Sequence, residues 1–290
     1  MKCRICLRNN APSTVLRSTG RHLVQAGLVL VAVLFLSAAA HAGVMIDFET
    51  RPDGSTIGPD NSELGLNEAY TFDSGLEVTF GFDTSVTNSQ RNNFTNDSVF
   101  SADEAAKFEL SGGSDNGNGF LSSTASGQHD TGRDATAQEQ LGDYFLRQGG
   151  GIENPKGTAF VIDYNQGVLA LSGEIWDIDS TQKNNNQKYE SWRVVAYGED
   201  DSYVAHVDSP KGIHHSKNGS LDSLPWVFSV ESSAKLIHQV VILYTGSATS
   251  VGLAFNNFNP TQAAPPVAPE PSSLMVFGMG ALSCIRFRRR

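Results

Sequence analysis

The sequence LEVTFGF at residues 76–82 alternates apolar side chains with polar or small ones. Successive side chains of an extended chain point to opposite faces, so residues two apart share one face. The residues that share the apolar face here are Leu76, Val78, Phe80 and Phe82. This period of two predicts a β-strand with one face buried in a core.

Comparable short apolar runs recur along the chain, and turn residues bound nearly all of them. They occupy residues 158–164, 168–176, 191–197, 203–207, 226–230, 238–244 and 251–255. Residues 137–147 are the one stretch that could be helical, and residues 84–132 suit a long loop region with two or three edge strands. The pattern predicts an all-β fold, an antiparallel β-sandwich of jelly-roll type. We expect Phe80, Trp192, Phe228 and Phe255 to lie in its core.

Charge is distributed unevenly over the 290 residues. The net charge is -10, and residues 43–269 hold 30 of the 31 acidic side chains but only 12 of the 21 Lys and Arg. Such a segment does not suit a nucleic-acid binder, and its expected partners are cations or neutral polymers. The only cysteines are Cys3, Cys6 and Cys284, so the middle of the chain has neither a disulfide nor a thiolate site.

Residues 1–42 have the three parts of a secretory signal peptide. A basic start precedes an apolar run at residues 27–36, and Ala40-His41-Ala42 supplies a small-x-small cleavage site. We therefore expect signal peptidase to cut before Gly43. The alternative is an uncleaved anchor helix, since the apolar stretch can be extended from Leu23 to Ala40.

The C-terminus combines a Pro-Glu-Pro sequence, a short apolar run and a basic end. Pro269 and Pro271 keep Glu270 in extended backbone, and residues 274–285 are twelve mostly apolar residues. As a helix these twelve span about 18 Å, short of a hydrocarbon core of about 30 Å. The basic residues that would hold the cytoplasmic side are Arg286, Arg288, Arg289 and Arg290.

This tail, residues 269–290 after a Pro/Ala linker at 263–268, resembles the PEP-CTERM sorting domain of Gram-negative bacteria, which is also labelled an ice-binding protein C-terminal domain. The resemblance implies that an exosortase, a membrane transpeptidase, cuts near Pro269-Glu270-Pro271. It also implies transient anchoring in the inner membrane, followed by transfer to the cell surface or extracellular matrix. Ala268 between Val267 and Pro269 departs from the usual pattern. An ordinary membrane anchor is the alternative.

Residues 43–262 form the expected ectodomain. Residues 47–49, 172–179, 189–197 and 254–258 resemble parts of exported bacterial jelly-roll domains. In such domains the first and last strands lie near one another, and acids on them often hold a structural calcium. Here the corresponding residues are Asp47, Glu49 and Asn256, with Asn256 in place of the usual Asp. Asn256 would weaken calcium binding, because its amide supplies an oxygen ligand without negative charge. The alternative is that Asp47 and Glu49 are a pair of surface acids on an edge strand.

Other polar groups are weaker candidates for sites. Glu174, Asp177 and Asp179 suit either a glycosidase-like pair of acids or solvated acids at a strand end. His214-His215 lacks a third metal ligand at recognisable spacing, and residues 115–119 lack the closing Glu of a calcium loop. The sequence contains no nucleophile elbow, no His-Glu-x-x-His and no phosphate-binding glycine loop.

Two functions from different classes follow. The first is a noncatalytic surface or matrix protein that binds carbohydrate or associates with exopolysaccharide. Trp176, Trp192, Trp226 or the tyrosines would stack on sugar rings, unless these rings pack in the core instead. The second is a secreted polysaccharide hydrolase or lyase that uses the acids near Asp177.

Overall fold

The computed structural model describes residues 45–96, 98–111, 141–148, 155–178, 180–183, 186–212, 225–248 and 254–262. All of them belong to Gly43–Arg290, one of the two compact units into which the chain divides. The predicted signal peptide, linker and sorting tail lie outside the described residues. Within the described ranges, no helix is long and apolar enough to cross a membrane.

The described residues form short antiparallel strands and little helix. The helix, α1, covers Asn88–Asn92, and a turn of 3-10 helix covers Pro155–Gly157. The strands are β1 (Glu63–Leu64), β2 (Tyr70–Thr71), β3 (Glu77–Asp83), β4 (Glu104–Leu110), β5 (Tyr144–Gln148), β6 (Ala159–Trp176), β7 (Ser180–Lys183), β8 (Asn186–Tyr189), β9 (Trp192–Tyr197), β10 (Tyr203–Asp208), β11 (Trp226–Glu231), β12 (Ile237–Tyr244) and β13 (Ala254–Gln262).

Strand β6 is long and organises the sheet. Its first half pairs with β12 on one side and β3 on the other, and its second half pairs with β11 and β13. From β3 the pairing continues through β4 and β5 back to β13, which closes a ring of strands. The two halves of β6 therefore belong to opposing layers, and β7 pairs with β8 in a separate hairpin.

Aromatic rings fill the space between the layers. The rings of Phe160 on β6 and Phe255 on β13 stack with centroids 4.4 Å apart. Trp192 on β9 meets Phe255 edge-on at 6.2 Å, and Phe80 on β3 lies 5.4 Å from Phe258. Phe80, Trp192, Phe228 and Phe255 are each at most 3% exposed, which confirms the predicted core.

A second apolar cluster covers the outer face of one layer. It joins Val161, Val195, Tyr197 and Val241 to Phe100 and other residues of the segment between β3 and β4. Tyr197 Oη donates a hydrogen bond to the carbonyl of Phe94 in that segment (2.9 Å). Strands β9 and β12 are therefore buried on both faces, which explains their almost continuous apolar sequence.

The predicted all-β, antiparallel fold is confirmed, with differences in three segments. Residues 144–147, within the stretch assigned as possible helix, belong to β5, because Leu146 pairs with Phe108 and with Phe255, far away in sequence. The runs at 158–164 and 168–176 are parts of one strand, β6. The segment expected to be a long loop contains α1 and β4, and its residues 112–132 lie outside the described ranges.

The join within β6 depends on a glycine. A Cβ on Gly167 would lie 2.4 Å from Leu236 Cβ and 2.6 Å from His238 Nε2. Both contacts are shorter than real Cβ atoms show, so a larger residue would force the strands apart. The sequence Asn165-Gln166-Gly167 is typical of a turn between two strands. In the structure these three residues lie within the single strand β6, where Gly167 packs closely against Leu236 and His238.

Candidate functional site

The start of the described chain is joined to the last strand. Ile46 and Phe258 exchange backbone hydrogen bonds of 2.7 and 3.0 Å, so the start of the described chain lies beside β13. Phe48, two residues on, has a φ of +58° and a fully buried ring. A left-handed aromatic residue costs about 1 to 2 kcal/mol. Burial of the ring among Phe80, Phe108 and Phe258 offsets that cost.

Glu49 binds the backbone of the turn that precedes β5. Its Oε1 accepts hydrogen bonds from the N–H groups of Asp143 (2.8 Å) and Tyr144 (3.3 Å). Gly142 in this turn has a φ of +75°, and a Cβ there would collide with Glu49 Oε1. Burial raises the pKa of Glu49, and nearby Asp143 and Asp47 also raise it, against the lowering effect of the two backbone hydrogen bonds.

Asn256 on β13 binds the same turn. Its side chain is buried, and Nδ2 donates to the carbonyls of Leu141 and, at 3.5 Å, Tyr144. Its Oδ1 accepts from the N–H of Asn257 (2.8 Å). Asp47 makes its hydrogen bond to a residue close in sequence: its Oδ1 accepts from the N–H of Glu49 (3.2 Å).

The structure thus brings Glu49 and Asn256 to one turn, with Asp47 next to Glu49. The amide nitrogen of Asn256, not an oxygen, faces the carbonyls that a cation would use. In the described part of the chain, no group of three or more His, Cys, Asp or Glu side chains could hold a metal ion. The calcium site at Asp47, Glu49 and Asn256 stays a prediction.

Glu174 lies beside this turn, across the β6–β13 ladder. It is opposite Asn256 in the register, and its Oε2 accepts hydrogen bonds from Trp176 Nε1 (3.1 Å) and Asn257 Nδ2 (2.9 Å). Asn257 has a φ of +53° at an irregularity in the pairing. Glu174 and Asp177 are each 8% exposed, and Asp179 lies outside the described residues. The carboxylate of Glu174 therefore positions Trp176 and Asn257.

Two of the three tryptophans cannot serve as sugar platforms. Trp176 and Trp192 are buried in the core. Trp226 is half-buried and packs against Phe228, with ring centroids 5.6 Å apart. Trp226 and the partly exposed tyrosines therefore remain accessible for stacking on a ligand.

Sequence analysis missed a group of aromatic and charged side chains on the outer side of β9 and β10. We call it the β9–β10 face, and it consists of Phe94, Arg193, Tyr203, His206 and Asp208. Arg193 donates from Nε to Asp208 Oδ1 (2.6 Å) and from Nη2 to Oδ2 (2.9 Å), and its Cζ lies 4.1 Å from the centre of the Phe94 ring. Tyr203 Oη and His206 Nδ1 are 2.7 Å apart. The hydrogen bond from Arg193 lowers the pKa of Asp208.

The β9–β10 register places the strand residues of this face together, since Asp208 lies opposite Arg193 and His206 opposite Val195. Phe94 reaches them from the segment between β3 and β4. The sequence signal was limited to the apolar run at residues 203–207, in which His206 lies between Ala205 and Val207. That pattern identifies a sheet residue but not its neighbours.

The remaining predicted site residues lie outside the described ranges. They are Ala40, Ala42, Gly43, residues 115–119, His214, His215, Pro269, Glu270, Pro271 and the four terminal arginines.

Comparison with known proteins identifies the tail. Residues 267–290 match the PEP-CTERM protein-sorting motif. No curated protein matches the chain. The motif indicates a protein that is exported, held transiently in the membrane by its C-terminal tail and processed by an exosortase on the way to the cell surface.

Proposed function

We propose that this protein is a noncatalytic component of the cell surface or extracellular matrix, whose all-β domain binds exopolysaccharide after an exosortase removes the tail. The observation that carries the proposal is the sorting motif at residues 267–290, which begins five residues after the end of β13 at Gln262. The motif indicates where the protein is sent. Side chains on the surface of the domain determine which partner it binds there.

The surroundings of Glu174 support a noncatalytic domain. A glycosidase needs two carboxyl groups about 5 to 10 Å apart that are open to a substrate. Glu174 is buried, and two side-chain N–H groups occupy its Oε2. A carboxylate used in this way supports the packing of β6 and β13. A hydrolase would require other acids.

The β9–β10 face supports carbohydrate as the partner. Sugars are bound by aromatic rings, which cover their apolar faces, and by planar charged groups, which accept or donate paired hydrogen bonds. Tyr203 is half-buried and His206 is exposed, beside the Arg193–Asp208 pair. The excess of acids in residues 43–269 favours a neutral polymer over an acidic one.

A glycan array tests this proposal. The mature protein, with and without calcium, should bind neutral polysaccharide, and the double variant Tyr203→Ala, His206→Ala should lose about tenfold in affinity. Val227→Ala is the matched control, because Val227 is exposed on β11 and is not part of this face. Unchanged binding by the double variant would refute the site, and release of sugar fragments from the bound polymer would refute the noncatalytic function.

A further inference from the structure

Four chain segments meet at the end of the sheet from which the tail departs. Gln262 ends β13 opposite Val168, and its Nε2 donates to Ser74 Oγ in the β2–β3 turn. Gln166 Nε2 donates to the carbonyl of Gly75 in that turn (2.8 Å). The N–H of Ser232, after β11, donates to the carbonyl of Leu169 (2.9 Å). We call this region, formed by residues 72–76, 165–169, 232–237 and Gln262, the tail-proximal end.

The distance from this end to the sorting motif is limited by covalent geometry. Seven peptide steps separate Gln262 from Pro269, so the two residues are at most about 25 Å apart. Ala254 lies at the other end of the nine-residue strand β13, farther along the chain from the motif than Gln262. When Glu270 enters the exosortase, the tail-proximal end is therefore held close to the enzyme.

Exposed apolar side chains occur at this end. The described residues include five large apolar side chains that are exposed: Met45, Val99, Leu169, Val227 and Leu236. Leu169 and Leu236 lie at the tail-proximal end, where Leu236 Cβ approaches Gly167. Met45 precedes Ile46, whose antiparallel bridge to Phe258 places it on the side toward Gln262. Neighbouring exposed apolar side chains are typical of a contact surface, and the pairing of Ile237 with Val168 brings Leu236 and Leu169 together on adjacent segments.

We infer that the tail-proximal end, with Leu169 and Leu236 as its apolar contacts, docks on the periplasmic surface of the exosortase during cleavage. This inference rests on the proposed processing by that enzyme. The short connection to the motif argues for the exosortase as the occupant, because the enzyme must hold Pro269-Glu270-Pro271 within about 25 Å of this end when the bond is cut. The membrane surface is the other candidate, and the vesicle experiment below separates the two.

Pulse-chase labelling of the full-length chain in host cells that contain the exosortase tests the inference. The double variant Leu169→Asp, Leu236→Asp should be converted from precursor to cleaved product about tenfold more slowly than wild type. The matched control, Val99→Asp with Val227→Asp, introduces the same charges at exposed apolar positions elsewhere. It should be cleaved at the wild-type rate. All four positions are exposed, and thermal unfolding of each variant verifies that the fold is kept.

Equal cleavage rates for the two double variants would overturn the docking surface. Glu270→Ala separates this result from a failure of the proposed processing, since that variant should not be cleaved at all. If wild type itself is not cleaved, or Glu270→Ala is cleaved normally, the processing claim is wrong, and the docking inference falls with it. Binding of the full chain to vesicles of phosphatidylethanolamine and phosphatidylglycerol, lost in the first double variant at an unchanged cleavage rate, would assign the surface to lipid and overturn the inference.

Discussion

Glu49 and Asn256 bind the same short segment, residues 141–144 at the start of β5, with opposite polarity. Glu49 accepts hydrogen bonds from the N–H groups of Asp143 and Tyr144, and Asn256 donates to the carbonyls of Leu141 and Tyr144. Glu49 is 94 residues away from Asp143 in the sequence, and Asn256 is 115 residues away from Leu141. These two distant side chains therefore hold one segment in place between the start of the described chain and β13. The Nδ2 group of Asn256 is the hydrogen-bond donor to these two carbonyls.

Asn256→Asp should turn this position into one that needs a cation. In chelator, the new carboxylate would face two carbonyl oxygens without a donor, and stability should fall by about 3 kcal/mol. For a domain of this size the melting temperature should drop by about 10 °C. Millimolar calcium should restore most of the loss. A variant that melts at the same temperature with calcium and with chelator would contradict this role for Asn256.

Wild type, melted under the same two conditions, tests the calcium site predicted from Asp47, Glu49 and Asn256. A calcium-dependent rise in its melting temperature would support that site. An unchanged curve would remove it.

Glu49→Gln should reveal the raised pKa of Glu49. Because the pKa is higher in the folded state, ionisation of Glu49 weakens the fold, whereas Gln keeps an oxygen acceptor and does not ionise. The stability of wild type relative to the variant should therefore be greatest below pH 4.5 and fall as pH rises through the folded pKa. Chemical unfolding in chelator at several pH values measures this difference.

Asp208→Asn is the control with the opposite sign. Arg193 lowers the pKa of Asp208, so the advantage of wild type over this variant should be present above pH 3.8 and lost as pH falls. Parallel pH trends for the two variants would contradict the assigned environments.

Tyr164→Phe should stabilise the domain by about 1 kcal/mol. The ring is buried, and within the described part of the chain its hydroxyl has no hydrogen-bond partner, so removing the hydroxyl removes a desolvation cost. Tyr244→Phe is the matched control, because Tyr244 Oη donates to the carbonyl of Ala248 (3.1 Å). It should lower stability by about 1 kcal/mol. Thermal unfolding compares the two, and a loss in Tyr164→Phe would mean that its hydroxyl is bonded.

Gly173→Ala should destabilise the sandwich by about 2 kcal/mol. The added Cβ would lie 2.6 Å from Phe258 Cδ1 and 2.8 Å from Phe228 Cζ, and both rings are enclosed by the core. Gly65→Ala should be close to neutral, since its Cβ would make only ordinary contact with the flexible Glu68 side chain. Equal melting temperatures for the two variants would show that the layers are packed less tightly at Gly173.

The sequence predicted correctly those strands that bury one face and expose the other, because their apolar and polar residues alternate. Strand β3 alternates cleanly because Val78 and Phe80 enter the core while Glu77 is exposed. Strand β5 was not predicted, because its assignment depends on pairing between Leu146 and the distant Phe255. No local pattern carries that information.

The candidate sites show the same division between local and distant information. A resemblance suggested that Glu49 and Asn256 lie close together, but not that a turn at residues 141–144 joins them. The acids near residue 177 suggested catalysis, whereas the register places Glu174 beside Asn257 and buries it. The β9–β10 face requires the pairing of two strands to be known before Arg193 and Asp208 can be seen as neighbours.

Mass spectrometry of the protein recovered from the surface of its host tests the central claim, export followed by exosortase cleavage, most directly. The account predicts a mature chain that starts at Gly43 and ends near Pro269-Glu270-Pro271, without the terminal arginines. Surface material that still carries an intact C-terminus at Arg290 would contradict it.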